Sequence, residues 1–370
     1  MDLKATLHRV QELSAQDIAS YFVAYHPQIA DIPDPWAERV VSWLEEYVNR
    51  PGAKALRPLL VAVGAAMSQD ISFDAAVQQP AVRQLMMAVE LNHKRILMAD
   101  DVADQDELRH GGPAMHIFIA QKLREFPQYA DLSEEQVNHV ARSYTEVAGI
   151  WLHAMVSDIM MNLEVSAEQR QQVSHIFLHL TYDMTATGWY TLLDQNFITL
   201  EDAREDTFLE GLRLVTGEYT FVSPLLLGAT LGEKYAELKG PFTEYGRNAG
   251  VLFQITDDLI GLFGDPQETG KPVGNDLREG KKTLLVQYAA EKASATEKAD
   301  LAALLRKEAI SAAEVAWAQD LIRRTGAEER TRETAAQYLV RAEQGLNTVH
   351  KNELREMLLH IVQYVLHRSR

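Results

Sequence analysis

Val251-Leu252-Phe253-Gln254-Ile255-Thr256-Asp257-Asp258-Leu259-Ile260-Gly261-Leu262-Phe263 decides the fold. Its apolar residues at 251, 252, 255, 259, 262 and 263 recur at the 3.6-residue period of an amphipathic helix. Set into that helix are two adjacent aspartates, with a further one at Asp265. Leu85, Val89, Ile96 and Leu97 repeat the pattern and lead into Asp100-Asp101-Val102-Ala103-Asp104, with Arg109 following. Alternation of period two is rare, so strands are expected to be absent or marginal. The spacing predicts an all-α protein: one large helical bundle over residues 1–370, N-terminal helices over 1–50, and sites built between helices. Breaks are expected at Ile32-Pro33-Asp34-Pro35, Arg50-Pro51-Gly52, His110-Gly111-Gly112-Pro113, Phe126-Pro127, Lys239-Gly240-Pro241 and the long loop from Gly264 to Lys281.

Composition narrows the function. The net charge is −17, which opposes a nucleic-acid partner or a strongly anionic membrane surface. The chain has no cysteine, which excludes disulfides, thiol catalysis and zinc–thiolate sites. No secretory signal is evident at Met1–Ala5 and no run of 18 apolar residues occurs, so a soluble, cytoplasmic protein without a transmembrane segment is expected.

On an ideal helix Asp104 lies about 40° around the axis and one turn beyond Asp100, so both carboxylates reach one ion. His93 falls within about 20° of the same ridge, two turns earlier. Unpaired carboxylates in apolar sequence would be costly to bury, so positive charge should share their space. Lys54 and Arg57, three apart in Pro51-Gly52-Ala53-Lys54-Ala55-Leu56-Arg57-Pro58, are placed at a helix start that favours phosphate. Arg109, Lys271, Lys281 and Lys282 lie next to the acidic clusters in sequence. Oxygen ligands for hard cations, backed by lysine and arginine, suit a magnesium-bridged diphosphate. Each piece alone is also what a solvated charged surface looks like; the second acidic cluster and the accompanying cations favour the site.

The residues now resemble a known family. Pro51 to Pro58 is similar to the GGKxxRP segment of trans-isoprenyl diphosphate synthases, the polyprenyl synthetase family. Glu90 to His93 with Asp100 to Arg109 resembles its first aspartate-rich region, and Phe253 to Thr283 its second region and loop. The resemblance implies a magnesium-dependent prenyl transfer from an allylic diphosphate to isopentenyl diphosphate, usually in a homodimer. Asp100, Asp104 and Asp257 would bind several Mg²⁺ ions, with Asp101 and Asp258 close by, and Asp100, Asp104, Asp257 and Lys271 would carry catalysis. Arg109, Lys271, Lys281, Gln254 and Thr216 would serve the allylic diphosphate, and Lys54, Arg57, His93 and His110 isopentenyl diphosphate. Arg95 and Ile96 occupy chain-length positions without an aromatic stopper, which implies a geranylgeranyl or, alternatively, a farnesyl product.

Departures accompany the resemblance. His110 stands where the family usually has a second Arg, Val215 where a Lys is expected before Thr216, Tyr190-Thr191 for a Gly-Gln pair ahead of Asp194, and Gly261 for the third aspartate of the second region. Two other functions remain open: a partner subunit with little activity of its own, and a class I terpene cyclase, whose second metal motif Asp257 to Asp265 only loosely fits.

Overall fold

A computed structural model describes residues 2–52, 54–264, 273–305, 307 and 309–368. The described residues are predominantly helical, and the only strands among them are Leu108–Arg109 and Gly112–Pro113. The all-α expectation holds. Contacts group the chain into two compact units, residues 2–66 with 71–171, and residues 67–70 with 172 onward.

In the first unit α1 (Leu3–Ile29) starts at Asp2, whose carboxylate accepts from Lys4 N at 2.9 Å. It buries Val10, Ser14, Ile18 and Phe22, one residue per turn. α2 (Pro35–Val48) uses Asp34 as N-cap and Pro35 in its first turn. α3 (Leu56–Gln69) buries Leu59 to Val63 without interruption. Beyond α4 (Phe73–Ala76), α5 (Pro80–Ala103) packs against α7 (Glu134–Met161), which opens with a Ser133/Gln136 capping box. A two-strand hairpin joins α5 to α6 (Met115–Leu123), turning through His110 (φ 52°) and Gly111 (φ 77°). Two positive φ values suit the twist of a two-residue hairpin.

A continuous helical run that starts at the end of the first unit and continues in the second comprises α8 (Ala167–Ile176), a π-helical stretch Phe177–Asp183 and α9 (Met184–Phe197). A second run comprises α10 (Glu205–Leu212), a π-helical stretch Arg213–Val222 and α11 (Ser223–Ala229). The central helix is α12 (Tyr235–Phe263). Its neighbours include that second π-helical stretch and α17 (Ala327–Gly345), with α13 (Asn275–Arg278), α14 (Leu284–Lys292), α15 (Ala295–Leu304), α16 (Ala312–Arg324) and α18 (Glu353–His367) completing the set. Backbones meet where α12 crosses the π-helical stretch. A Cβ on Gly250 would stand 2.3 Å from Gly217 Cα, so neither position tolerates a side chain without displacement.

One expected break is absent. Lys239-Gly240-Pro241 continues α12, with Pro241 inside the helix. Proline deprives the Glu237 carbonyl of its helical donor. Glu237, Lys239 and Gly240 are exposed, so water can serve in its place. Among the described residues no helix is long and apolar enough to cross a membrane.

Candidate active site

The first acidic ridge forms as the helix geometry requires. Asp104 is the C-cap of α5, its N–H bonded to Asp100 O at 2.8 Å, which sets the two residues one turn apart. The Asp100 side chain is 35% exposed, open to an ion. Asp101 is different. Its side chain is fully buried and accepts from Arg109 Nε at 2.6 Å, while Arg109 Nη2 donates to Asp100 Oδ2 at 3.1 Å and lies 3.5 Å from Asp106 Oδ2. Burial first, and then the nearby Asp101 carboxylate, pushes the Tyr47 phenol pKa up. Burial alone would push the Arg109 pKa down, but Asp101 and its acidic neighbours drive it further above the ordinary arginine value.

Cations gather around His93 on the same helix. Its pKa is driven well below the usual histidine value, first by burial and then by repulsion from Arg57, Lys94, His110 and Arg109. Residues 57, 93, 109 and 110 therefore share one electrostatic neighbourhood, although they come from three segments. His110 is held there by Gly52: a Cβ at Gly52, whose φ is +116°, would lie 2.8 Å from His110 Cβ. Lys54 corrects the sequence expectation. Ala55 adopts φ +51°, a left-handed conformation that breaks helical register, so α3 begins only at Leu56 and the exposed Lys54 precedes it in a loop.

Arg95 points toward α7. It donates to Asn92 Oδ1 at 3.2 Å, its Cγ lies 3.7 Å from where Gly149 would carry a Cβ, and its charge helps burial lower the His153 pKa. Ile96 beside it is half-buried.

In the second unit the π-helical stretch presents buried Thr216 to α12. Thr216 Oγ1 donates to Gln254 Oε1 at 3.2 Å, and Gln254 Nε2 donates to Asp258 Oδ1 at 3.2 Å. Wide π turns recur at functional sites because they re-aim side chains. Burial raises the Asp258 pKa well above the carboxylate range; Asp276 adds to this more than Asp257 does, while Gln254 and Lys281 oppose it. Asp257 is 40% exposed and accepts from Arg368 Nη2 at 2.6 Å. Arg368 also donates to Phe253 O at 2.9 Å and stacks 3.9 Å over the Phe253 ring. Lys281 lies 3.5 Å from Asp276 and pairs with Glu279, and Lys282 Nζ donates to Asn196 O at 2.8 Å. Lys271 and Asp265 lie outside the described residues.

Val215 does not reach a polar site. Its Cγ2 lies 2.8 Å from where Gly188 would carry a Cβ, packed between α9 and its own stretch. Thr191 spends its hydroxyl on Thr187 O at 3.0 Å, and Tyr190 and Asp194 are exposed. Sequence reasoning missed Tyr47, Asp106, Asp276 and Arg368. Asp276 was visible within the second motif, whereas nothing in sequence ties Arg368 to Asp257, 111 positions away.

The donor chemistry suits magnesium. Asp100, Asp104 and Asp257 offer hard carboxylate oxygens at least partly open to solvent. Among the described residues no three acidic or histidine side chains converge to hold an ion unaided. Mg²⁺ is usually held by one or two carboxylates together with substrate phosphates and water, and Asp100 and Asp104, one turn apart, are such a pair.

Helical fold, acidic ridges and cationic neighbourhood define a class, and comparison with known proteins confirms it. Residues 38–322 match the polyprenyl synthetase family, and the chain belongs to it. It is 31% identical over 255 residues to a geranylfarnesyl diphosphate synthase of Aeropyrum pernix, covering 69% of this chain and 72% of that relative. It is 25% identical to a geranylgeranyl diphosphate synthase of Saccharolobus solfataricus, over 84% of this chain and 86% of the other. Among solved structures, geranylgeranyl pyrophosphate synthase from Corynebacterium glutamicum, complexed with isoprenyl diphosphate and magnesium, superimposes with a TM-score of 0.86 at 26% identity, covering 100% of both chains.

Proposed function

We propose that this chain joins isopentenyl diphosphate to an allylic diphosphate and releases a short-chain prenyl diphosphate, geranylgeranyl in preference to farnesyl. The observation that carries the reading is the crowding of Arg57, His110 and Arg109 about a depressed His93, on the helix that also presents Asp100 and Asp104. Guanidinium groups gathered beside a buried imidazole are well arranged for an anion, and a diphosphate would offset their charge.

Ionisation breaks the allylic C–O bond, and the electron pair leaves with the diphosphate. The double bond of isopentenyl diphosphate attacks the cation, and loss of a proton forms the new alkene. Bound Mg²⁺, held by Asp100, Asp104 and Asp257 with Asp101 and Asp258 behind them, would supply charge neutralisation to the leaving group. Arg109, Lys271 and Lys281 add fixed positive charge there, with Gln254 and Thr216 as polar supports. Arg57, His93, His110 and Lys54 hold isopentenyl diphosphate. His93 does so as a neutral imidazole until the anion arrives.

A homodimer belongs to the same reading. Val147 and Ile150, 56% and 68% exposed, form an apolar strip on α7 that a second copy would cover. The packing of Val215 against Gly188 favours one rival, a partner subunit of low intrinsic activity, because this side chain supplies neither charge nor hydrogen bond to a diphosphate. One assay decides: purified protein with Mg²⁺, labelled isopentenyl diphosphate and each allylic primer in turn, products sized by chromatography. Elongation of a primer to about twenty carbons is expected. No consumption of isopentenyl diphosphate would support the subunit or the cyclase instead.

A further inference from the structure

Arg368, the C-cap of α18, has a side chain only 3% exposed, yet it is incompletely paired. Its Nη2 donates to Phe253 O and Asp257 Oδ1, while its buried Nε meets no acceptor among the described residues. A buried guanidinium N–H without a partner is costly. Beside it lies a cavity of about 500 Å³ bounded by α12, α17 and α18, a size within the range of small-molecule sites. Leu259, Ile260 and Phe263 form its α12 wall, and α17 contributes Ala336. On an ideal helix those three α12 positions lie about 120–160° around the axis from the midpoint of Gln254 and Asp258. The cavity is therefore on the other side of α12 from the hydrogen-bonded Thr216–Gln254–Asp258 face.

The charges at this cavity are of one sign. Arg332 and His367 join Arg368 in its lining, and no carboxylate does so among the described residues. In a chain of net charge −17 that is a local reversal of sign. Arg332 is bonded to Glu328 at 2.8 Å, but its side chain is 58% exposed, and so open a pair is readily exchanged for another anion. We infer that this cavity binds a single-chain amphiphile with a compact anionic head. The aliphatic chain lies against Leu259, Ile260 and Phe263, and the head accepts from Arg368 Nε and Arg332. A neutral apolar ligand would leave Nε unsatisfied, and a small free anion would leave the apolar wall in water. The inference does not depend on the reaction proposed above, although Arg368 also bonds Asp257, so the cavity and the second acidic ridge share one residue.

Isothermal titration calorimetry in metal-free, chelated buffer, with decyl phosphate below its micellar concentration as the probe, provides the test. The parent should bind decyl phosphate. Decanol and inorganic phosphate should each bind at least about tenfold more weakly, the scale of losing one charge-assisted hydrogen bond or most of the buried chain. Ala336→Phe, at an exposed position of α17, should fill the cavity and weaken binding by about tenfold or more. Arg368→Gln should weaken it by a similar factor. Arg57→Gln, which alters the cationic neighbourhood of His93, should bind as the parent does. Circular dichroism verifies that each variant is folded, and the exposed Ala336 position keeps the test valid if Arg368→Gln is unstable. A parent that binds no decyl phosphate, or parent-like binding by Ala336→Phe, would overturn the inference. So would complete loss of binding in Arg57→Gln, which would place the ligand beside His93 instead.

Discussion

Arg109 and its carboxylates allow stability to be separated from metal binding within the ten residues from Asp100 to Arg109. Asp101 is 0% exposed and Arg109 14% exposed, with Asp106 also buried beside them. Removing one member of a buried, hydrogen-bonded charge pair costs about 3–5 kcal/mol, because the survivor remains buried. Arg109→Ala strands both Asp101 and Asp106 and belongs at the top of that range. Asp101→Asn is milder, since Arg109 keeps Asp100 and Asp106; about 2–3 kcal/mol is expected, below the full loss. Asp104 is only half-buried at the C-cap of α5, so Asp104→Asn should cost less than Arg109→Ala.

Urea unfolding in a metal-free, chelated buffer measures these values without a contribution from bound ions. At roughly 2–4 °C per kcal/mol for a unit of 150–250 residues, Arg109→Ala should lower Tm by at least about 8 °C. Mn²⁺ binding with diphosphate should show the opposite order for the two aspartates, Asp104→Asn losing more than Asp101→Asn. A stable Asp101→Asn, or an Asp104→Asn as unstable as Arg109→Ala, would refute the assignment of a supporting role to Asp101.

Asp100→Ala and Asp257→Ala should each lower turnover by at least about a thousandfold while retaining helical circular dichroism, on the scale of losing a main electrostatic stabiliser; an Asp257→Ala variant with most of its rate would contradict the metal role. His110→Arg should lower KM for isopentenyl diphosphate, since arginine brings a fixed charge and a forked set of donors that imidazole lacks; an unchanged KM would place His110 outside the site. Because the folded state depresses the His93 pKa, the unfolded chain takes up the proton first, so ligand-free stability should fall as pH drops below about 6.5. His93→Gln should reduce that acid slope, and an unaltered slope would refute the environment described for His93. Arg95→Ala should lengthen the product distribution if its contact with α7 closes the tail pocket, and an unchanged product would locate the floor on another helix.

Much of this architecture is legible in the chain because amphipathic helices announce themselves by period. The apolar face from Val251 to Phe263 and the turn between Asp100 and Asp104 follow directly from 3.6 residues per turn. What periodicity conveys poorly is the difference between neighbouring like residues. Asp100 and Asp101 read alike in sequence and both bond Arg109, yet about 100° of helical rotation leaves one partly exposed and buries the other completely. Proline at 241 was misread for a related reason: its effect depends on whether the freed carbonyl meets water, which depends on burial and not on local sequence.

Contacts between distant segments escape sequence reading most completely, and they change how the departures from the family pattern are understood. Position by position, Gly261 is a lost carboxylate and Val215 a lost cation. In three dimensions the two losses differ. Asp276 fills the space at 261, whereas Val215 packs against Gly188 with apolar contact alone. Arg368 adds a constraint of its own, since a cation bonded to Asp257 must yield or rearrange before that carboxylate can turn fully to a metal ion. Whether a motif is intact therefore depends on which groups reach its positions in space. By that standard the space beside Gly261 is occupied by a carboxylate from another segment, while the space beside Val215 is apolar.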